Sequence, residues 1–208
     1  MAIGLGPLFW AVRSEALYRM GAGVLAVVLS VSALTDVAVP RPLHGVRIAV
    51  DAGHGGEDRG VCHFAEGLIE KEINLDMAFR LARALEQGGA DVLMTRSDDT
   101  FIPLSERAAR ANSNKADLFI SLHANRIPGH PDCFGAQTFY FPGSVEGERL
   151  AKAIQAELLA IDPENYRQAM PGRFAVLRQS DMPSALVEIA FMTNDRDRRL
   201  LQEEEYRV

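Results

Sequence analysis

The sequence predicts a single α/β domain, a mostly parallel central sheet of about six strands covered by helices on both faces. Three observations carry that reading. Short apolar runs, at 46–50 (with β-branched Val46, Ile48 and Val50), 91–95, 117–122 and 185–190, alternate with segments whose apolar residues recur every three or four positions. The first and third runs each lead straight into a histidine-bearing segment, and in open α/β sheets binding sites form outside the carboxyl ends of the strands. At 208 residues and 48% apolar, the chain is long enough to bury a core.

The N-terminus reads as an address rather than as part of the fold. Arg13 and Arg19 precede an uncharged run, 21–34, of about fourteen residues. That is short of the about 20 residues a membrane span needs but suits the core of an export signal. Residues 31–33 offer a small-residue cleavage site, and an uncleaved anchor is the alternative; either places the rest outside the cytoplasmic membrane. A buried core helix is the bland reading. Proline-bearing 39–42 is the linker. Residues 1–44 are therefore assigned to signal peptide or anchor plus linker, and 45–208 to the folded domain.

Strand 46–50 ends at Asp51, and glycines flank His54 in the loop that follows, keeping bulky side chains off the imidazole. Helix 70–87 carries the stripe Ile73, Met77, Leu81, Leu85, and Gly88-Gly89 ends it. Strand 91–95, a polar loop to Pro103 and helix 104–114, beginning near Ser105, come next. Strand 117–122 ends on His123-Ala124-Asn125. A loop rich in Pro and Gly leads to strand 136–141, helix 145–161 (Leu150, Ile154, Leu158, Ile161), a short strand 174–177 and a last strand 185–190. Asn194 starts a charged closing helix.

Net charge is −6 with no dense Lys/Arg block, which argues against nucleic acid as a partner. Cys62 and Cys133 cannot build a disulfide framework. Each follows a histidine of interest by roughly ten residues, so they read as two free thiols or as one pair near the site.

His54 past the first strand, His123 past the third and Glu70 at a helix start are a candidate His₂Glu set for one zinc ion with an open position for water. Glu188, acidic in the middle of an apolar strand, is the candidate proton acceptor and donor. Each has a plainer reading: a hydrogen-bonded loop histidine, a helix-start carboxylate favoured by the macrodipole, or a buried carboxylate paired with Arg178. Asn125 and Arg167 are weaker candidates, for orienting the site and for meeting a substrate carboxylate; a turn role and a solvated arginine are their alternatives. The chain has no HExxH, no Cys₂His₂ spacing, no G-x-S-x-G and no phosphate loop. Spacing alone reaches a metallohydrolase.

Five blocks in order, IAVDAGHGGEDRG, EGLIEKEINLDMA, VLMTRSDDTFIPLSERAARAN, ADLFISLHAN and PSALVEIAFMTN, resemble the zinc-dependent N-acetylmuramoyl-L-alanine amidases from about Val46 to Leu201. The resemblance implies that His54, Glu70 and His123 are zinc ligands and Glu188 the catalytic glutamate. The implied reaction cleaves the amide between the lactyl group of muramic acid and L-alanine in peptidoglycan. FGAQTFYFPGSVEGERLAKAIQAEL and ENYRQA are similar to the CwlD-like, spore-cortex branch, which implies a role on the path to muramic-δ-lactam. A protein activator is left open. Ala52 and Ala190 stand where the family has proline and glycine, and the closing helix looks truncated. The rival readings are a zinc peptidase acting on the stem peptide and a non-catalytic wall-binding or activator protein.

Overall fold

The structure, a computed structural model, describes residues 42–207. The expected leader lies almost wholly outside the described residues, and none of their helices is long and apolar enough to cross a membrane.

Strand β1 (Arg47–Ala52) is buried at every position but its first. A small hairpin, β2 (Cys62–His63) and β3 (Leu68–Ile69), leads into helix α1 (Glu70–Gln87). The expected bounds of α1 coincide with those observed. Its end is a left-handed glycine cap: Gly89 has φ +93, Gly89 N–H donates to the Glu86 carbonyl, and Ala90 N–H reaches back to Leu85. Then come β4 (Asp91–Met94), α2 (Leu104–Ser113), β5 (Leu118–Asn125), β6 (Gln137–Tyr140), α3 (Val145–Ile161), β7 (Met170–Pro171), α4 (Ala175–Gln179), β8 (Ser184–Phe191), α5 (Asp195–Gln202) and α6 (Glu204–Arg207). Asn194 caps α5 by accepting from Asp197 N–H at 3.1 Å.

The main sheet has six strands in the order β4-β1-β5-β8-β6-β7. The first four run parallel; β6 is antiparallel to β8, and β7 is parallel to β6. Side-chain alternation sorts the core into two layers. Ile48, Val50, Leu118, Ile120, Leu122, Val187 and Ile189 pack with Ile73 and Ala78 of α1 and with Leu150, Ile154 and Leu158 of α3. Ala49, Phe119 and Leu186 project to the other face, with Ala111 of α2 and Val176 and Leu177 of α4.

Two expectations are corrected. The stretch expected as a strand at 174–177 is the helix α4; Phe174 is extended and Val176 and Leu177 are buried against the sheet. An apolar run of four residues is too short for its period to separate strand from helix. His123 lies within β5 rather than past it, because pairing with β8 continues to Asn125, with an irregularity between His123 and Asn125.

Candidate active site

The site begins where β1 ends. Gly53 N–H continues the ladder to the Leu122 carbonyl at 3.0 Å. A Cβ on Gly53 would fall within the His123 ring, so only glycine leaves that imidazole its place. His54 then adopts φ +60, a conformation costly for a non-glycine residue.

That strained turn is held by two buried arginines. Arg96 donates to the carbonyls of Ala52 (2.8 Å) and Gly53 (2.9 Å). Arg107 donates to the carbonyls of Ala52 (2.6 Å) and His54 (2.7 Å). Arg107 is 2% exposed and pairs at 2.9 Å with Asp51, which is fully buried. The Asp51 carboxylate also accepts from Thr95 Oγ1 (2.6 Å) and Ser121 Oγ (2.7 Å). The buried ion pair is thus hydrogen-bonded on both sides, the condition under which such a pair is tolerated.

His54, Glu70 and His123 converge. Their candidate ligand atoms lie within 4.8 Å of one another. His54 Nε2 is 2.9 Å and His123 Nδ1 3.1 Å from Glu70 Oε1. His54 Nδ1 is 2.8 Å from Asp58 Oδ2, a contact that fixes the ring and leaves Nε2 facing the cluster. Glu70 Oε2 accepts from Val61 N–H at 2.8 Å, and Oε1 from Ala124 N–H at 3.1 Å. Burial pushes the Glu70 carboxyl up, but hydrogen bonds to His123 and His54 outweigh it and hold the group well below the usual carboxylate range. Burial pulls His54 down, and Glu70 and Asp58 more than offset it, so its pKa is raised. Gly60, at φ +63, closes the loop over the cluster; a Cβ there would stand 2.5 Å from Glu70 Oε2.

Glu188 is the register partner of His123 across β5 and β8. It is 9% exposed, and its Oε2 has no hydrogen-bond partner. Burial, opposed by His123 and reinforced by Glu70, pushes its pKa up to about 7. The donor set fits a single zinc ion: two imidazoles and a carboxylate at one point, His54 braced by Asp58 and Glu70 by the Val61 and Ala124 N–H groups, with a buried, unsatisfied carboxylate oxygen beside them.

The family model described as N-acetylmuramoyl-L-alanine amidase matches residues 48–208. The chain belongs to the N-acetylmuramoyl-L-alanine amidase family. It is 42% identical over 168 residues to the protein YqiI of Bacillus subtilis, covering 79% of each chain. It is 36% identical over 180 residues to the germination-specific N-acetylmuramoyl-L-alanine amidase of B. subtilis, covering 79% of this chain and 75% of that one. Among solved structures, the CwlD amidase of Clostridioides difficile, in complex with the GerS lipoprotein, superposes with a TM-score of 0.74 at 31% identity, over 78% of this chain and 91% of that one. As a member of this family the protein is a peptidoglycan hydrolase, and the fold is the one those amidases share.

The amidase fold brings four of the six expected site residues together, His54, Glu70, His123 and Glu188. Asn125 ends β5; its Oδ1 accepts from Arg126 N–H at 2.7 Å, and its carbonyl accepts from Met192 N–H at 2.8 Å. Arg167 donates to the Phe134 carbonyl at 2.9 Å, and its guanidinium lies over the rings of Phe191 (4.4 Å) and Tyr166 (4.8 Å), none of them in the cluster. Arg178 gives Glu188 Oε2 no hydrogen bond. Cys62 and Cys133 are free thiols. Sequence reasoning missed Asp51, Asp58, Arg96 and Arg107. The available signals were an acid closing an apolar strand and an arginine at 107 on the same helix face as Ala108 and Ala111, which are buried.

Proposed function

We propose that this amidase works with one zinc ion held by His54, Glu70 and His123, and that Glu188 carries the proton. The observation that supports this reading is the unsatisfied, buried Glu188 oxygen next to three converging donors. When bound, zinc supplies a Lewis acid that polarises the scissile carbonyl and lowers the pKa of water to about 7. Glu188 accepts the proton of the attacking water and passes it to the alanine nitrogen as the C–N bond breaks. The products are a free lactyl carboxyl and a stem peptide with a free L-alanine amine. In the metal-free chain burial pushes the Glu188 pKa up to about 7; a cation held beside it would draw the group back toward the carboxylate that accepts the proton of water.

The cellular role we assign is in the spore cortex, on the path to muramic-δ-lactam. The germination-specific relative and the CwlD structure support it. The chain acts outside the cytoplasmic membrane, delivered by the N-terminal segment. A protein partner, here a lipoprotein, is a further part of the proposal, because the CwlD structure is a complex with the GerS lipoprotein.

The test is digestion of cortex and of vegetative peptidoglycan by the purified protein, with and without chelator, followed by mass analysis of the products. The expected result is intact stem peptide with a free L-alanine amine, lost in chelator and restored by zinc, with cortex the better substrate. Cleavage inside the stem peptide, or activity indifferent to chelator, overturns the reading.

A further inference from the structure

A cleft of about 510 Å³ opens beside the catalytic cluster. Gly60 and Val61 form one wall, and both also touch the cluster: Val61 N–H donates to Glu70 Oε2, and Gly60 leaves no room for a Cβ between Glu70 and His54. Met192 and Thr193, shortly after Glu188 in the chain, also line the cleft, as does Arg126, three residues beyond His123. The cleft is therefore built from the segments that carry the site residues and runs directly off the site.

Its charge is specific. Arg198 also lines the cleft but is committed, with Glu66 at 2.9 Å, Asp195 at 2.5 Å and the Met192 carbonyl at 3.2 Å. His63 lies 3.7 Å from Glu66. Arg126 is exposed, and among the described residues its guanidinium has no hydrogen bond or ion pair. Thr193 Oγ1 accepts from Ile127 N–H at 3.4 Å, which leaves its hydroxyl proton free to donate. One uncommitted fork of donors and a hydroxyl donor, in a chain of net charge −6, suit a carboxylate.

Peptidoglycan chemistry says whose carboxylate this is. The lactyl carboxyl of muramic acid is consumed in the scissile amide and the sugars carry none, so free carboxylates lie on the peptide side. The nearest belongs to the second residue of the stem, whose α-carboxyl is free or amidated. An extended peptide rises about 3.4 Å per residue, so that group lies within roughly 7–10 Å of the scissile nitrogen. Arg126 follows directly on the end of β5, three residues after His123, and the pairing of Asn125 with Phe191 sets it next to the segment of Met192 and Thr193.

We infer that Arg126, with Thr193, binds the α-carboxylate of the second stem-peptide residue and makes the enzyme prefer peptides in which it is free. This deepens the amidase reading and rests on it. The experiment uses two soluble glycan–peptide substrates that differ only in whether that carboxyl is free or amidated. Steady-state kinetics are compared for the zinc-loaded wild type, Arg126→Ala and Arg126→Lys. The wild type favours the free acid by about tenfold in kcat/KM, mainly through KM. In Arg126→Ala the ratio falls to about one, and Arg126→Lys keeps part of the preference. A wild type that cleaves both forms equally well, or an Arg126→Ala enzyme that keeps the preference, overturns the inference and leaves the amidase reading standing. A wild type that releases no free L-alanine amine from either substrate overturns both.

Discussion

His123 and Glu188 are lateral neighbours on adjacent parallel strands, in register across β5 and β8. Residues paired in this way project from the same face of the sheet, so the pairing alone puts a candidate ligand and a candidate acid side by side. A one-residue slip of β8 would send Glu188 to the opposite, apolar face. The core fixes the register instead: Val187 and Ile189, on either side of Glu188, are buried in the layer under α1 and α3.

The Glu188 carboxyl makes stability depend on pH in the metal-free protein. Its pKa is about 7 in the folded chain against an ordinary 4.5, so folding favours the protonated form. That contribution is complete below about pH 4.5 and is lost as pH rises through about 7, by roughly 3 kcal/mol at most. Glu188→Gln carries no such term. Denaturant unfolding in chelator at pH 5 and pH 8 should therefore show the variant gaining on the wild type at the higher pH. A difference that does not change with pH contradicts the assignment.

Gly53→Ala should strike the metal site rather than the fold. Its methyl needs the space of the His123 ring, which must swing away from Glu70. Zinc affinity is expected to fall on the order of tenfold to a hundredfold, the range seen when groups that orient ligands are disturbed. Competition with a chromophoric chelator measures it, and far-UV circular dichroism checks that the fold is kept. Unchanged affinity would mean that His123 is not a ligand.

Arg107→Met should be costly. It strips the partner from a fully buried Asp51 and releases the carbonyls of Ala52 and His54. The expected loss is about 3–5 kcal/mol of stability, and removing the acid as well, in Asp51→Leu/Arg107→Met, should recover part of it. Chemical denaturation reports both. A single variant as stable as the wild type would remove the role given to this pair in holding the His54 turn.

Legibility followed how local the determining interaction is. The bounds of α1 and α3 match their expected ones because apolar period and end signals are properties of the segment itself. The hairpin β2–β3 and the edge strand β7 are two-residue elements with no period to read. His54, Glu70 and His123 were nameable from residue type at element ends. Their bracing was not: Arg107 reaches Asp51 across 56 residues of sequence, a distance that only the folded sheet closes. The same holds for the His123–Glu188 pairing, which depends on β8 lying next to β5.

The most direct measurement is a paired one on Glu188→Gln: zinc per chain by atomic absorption and turnover of peptidoglycan on the same sample. One zinc ion per chain with turnover abolished is the expected result, since the three donors are untouched and only the proton carrier is gone. Turnover near the wild-type rate, or a variant that no longer holds zinc, would contradict the division of labour between the metal ligands and Glu188.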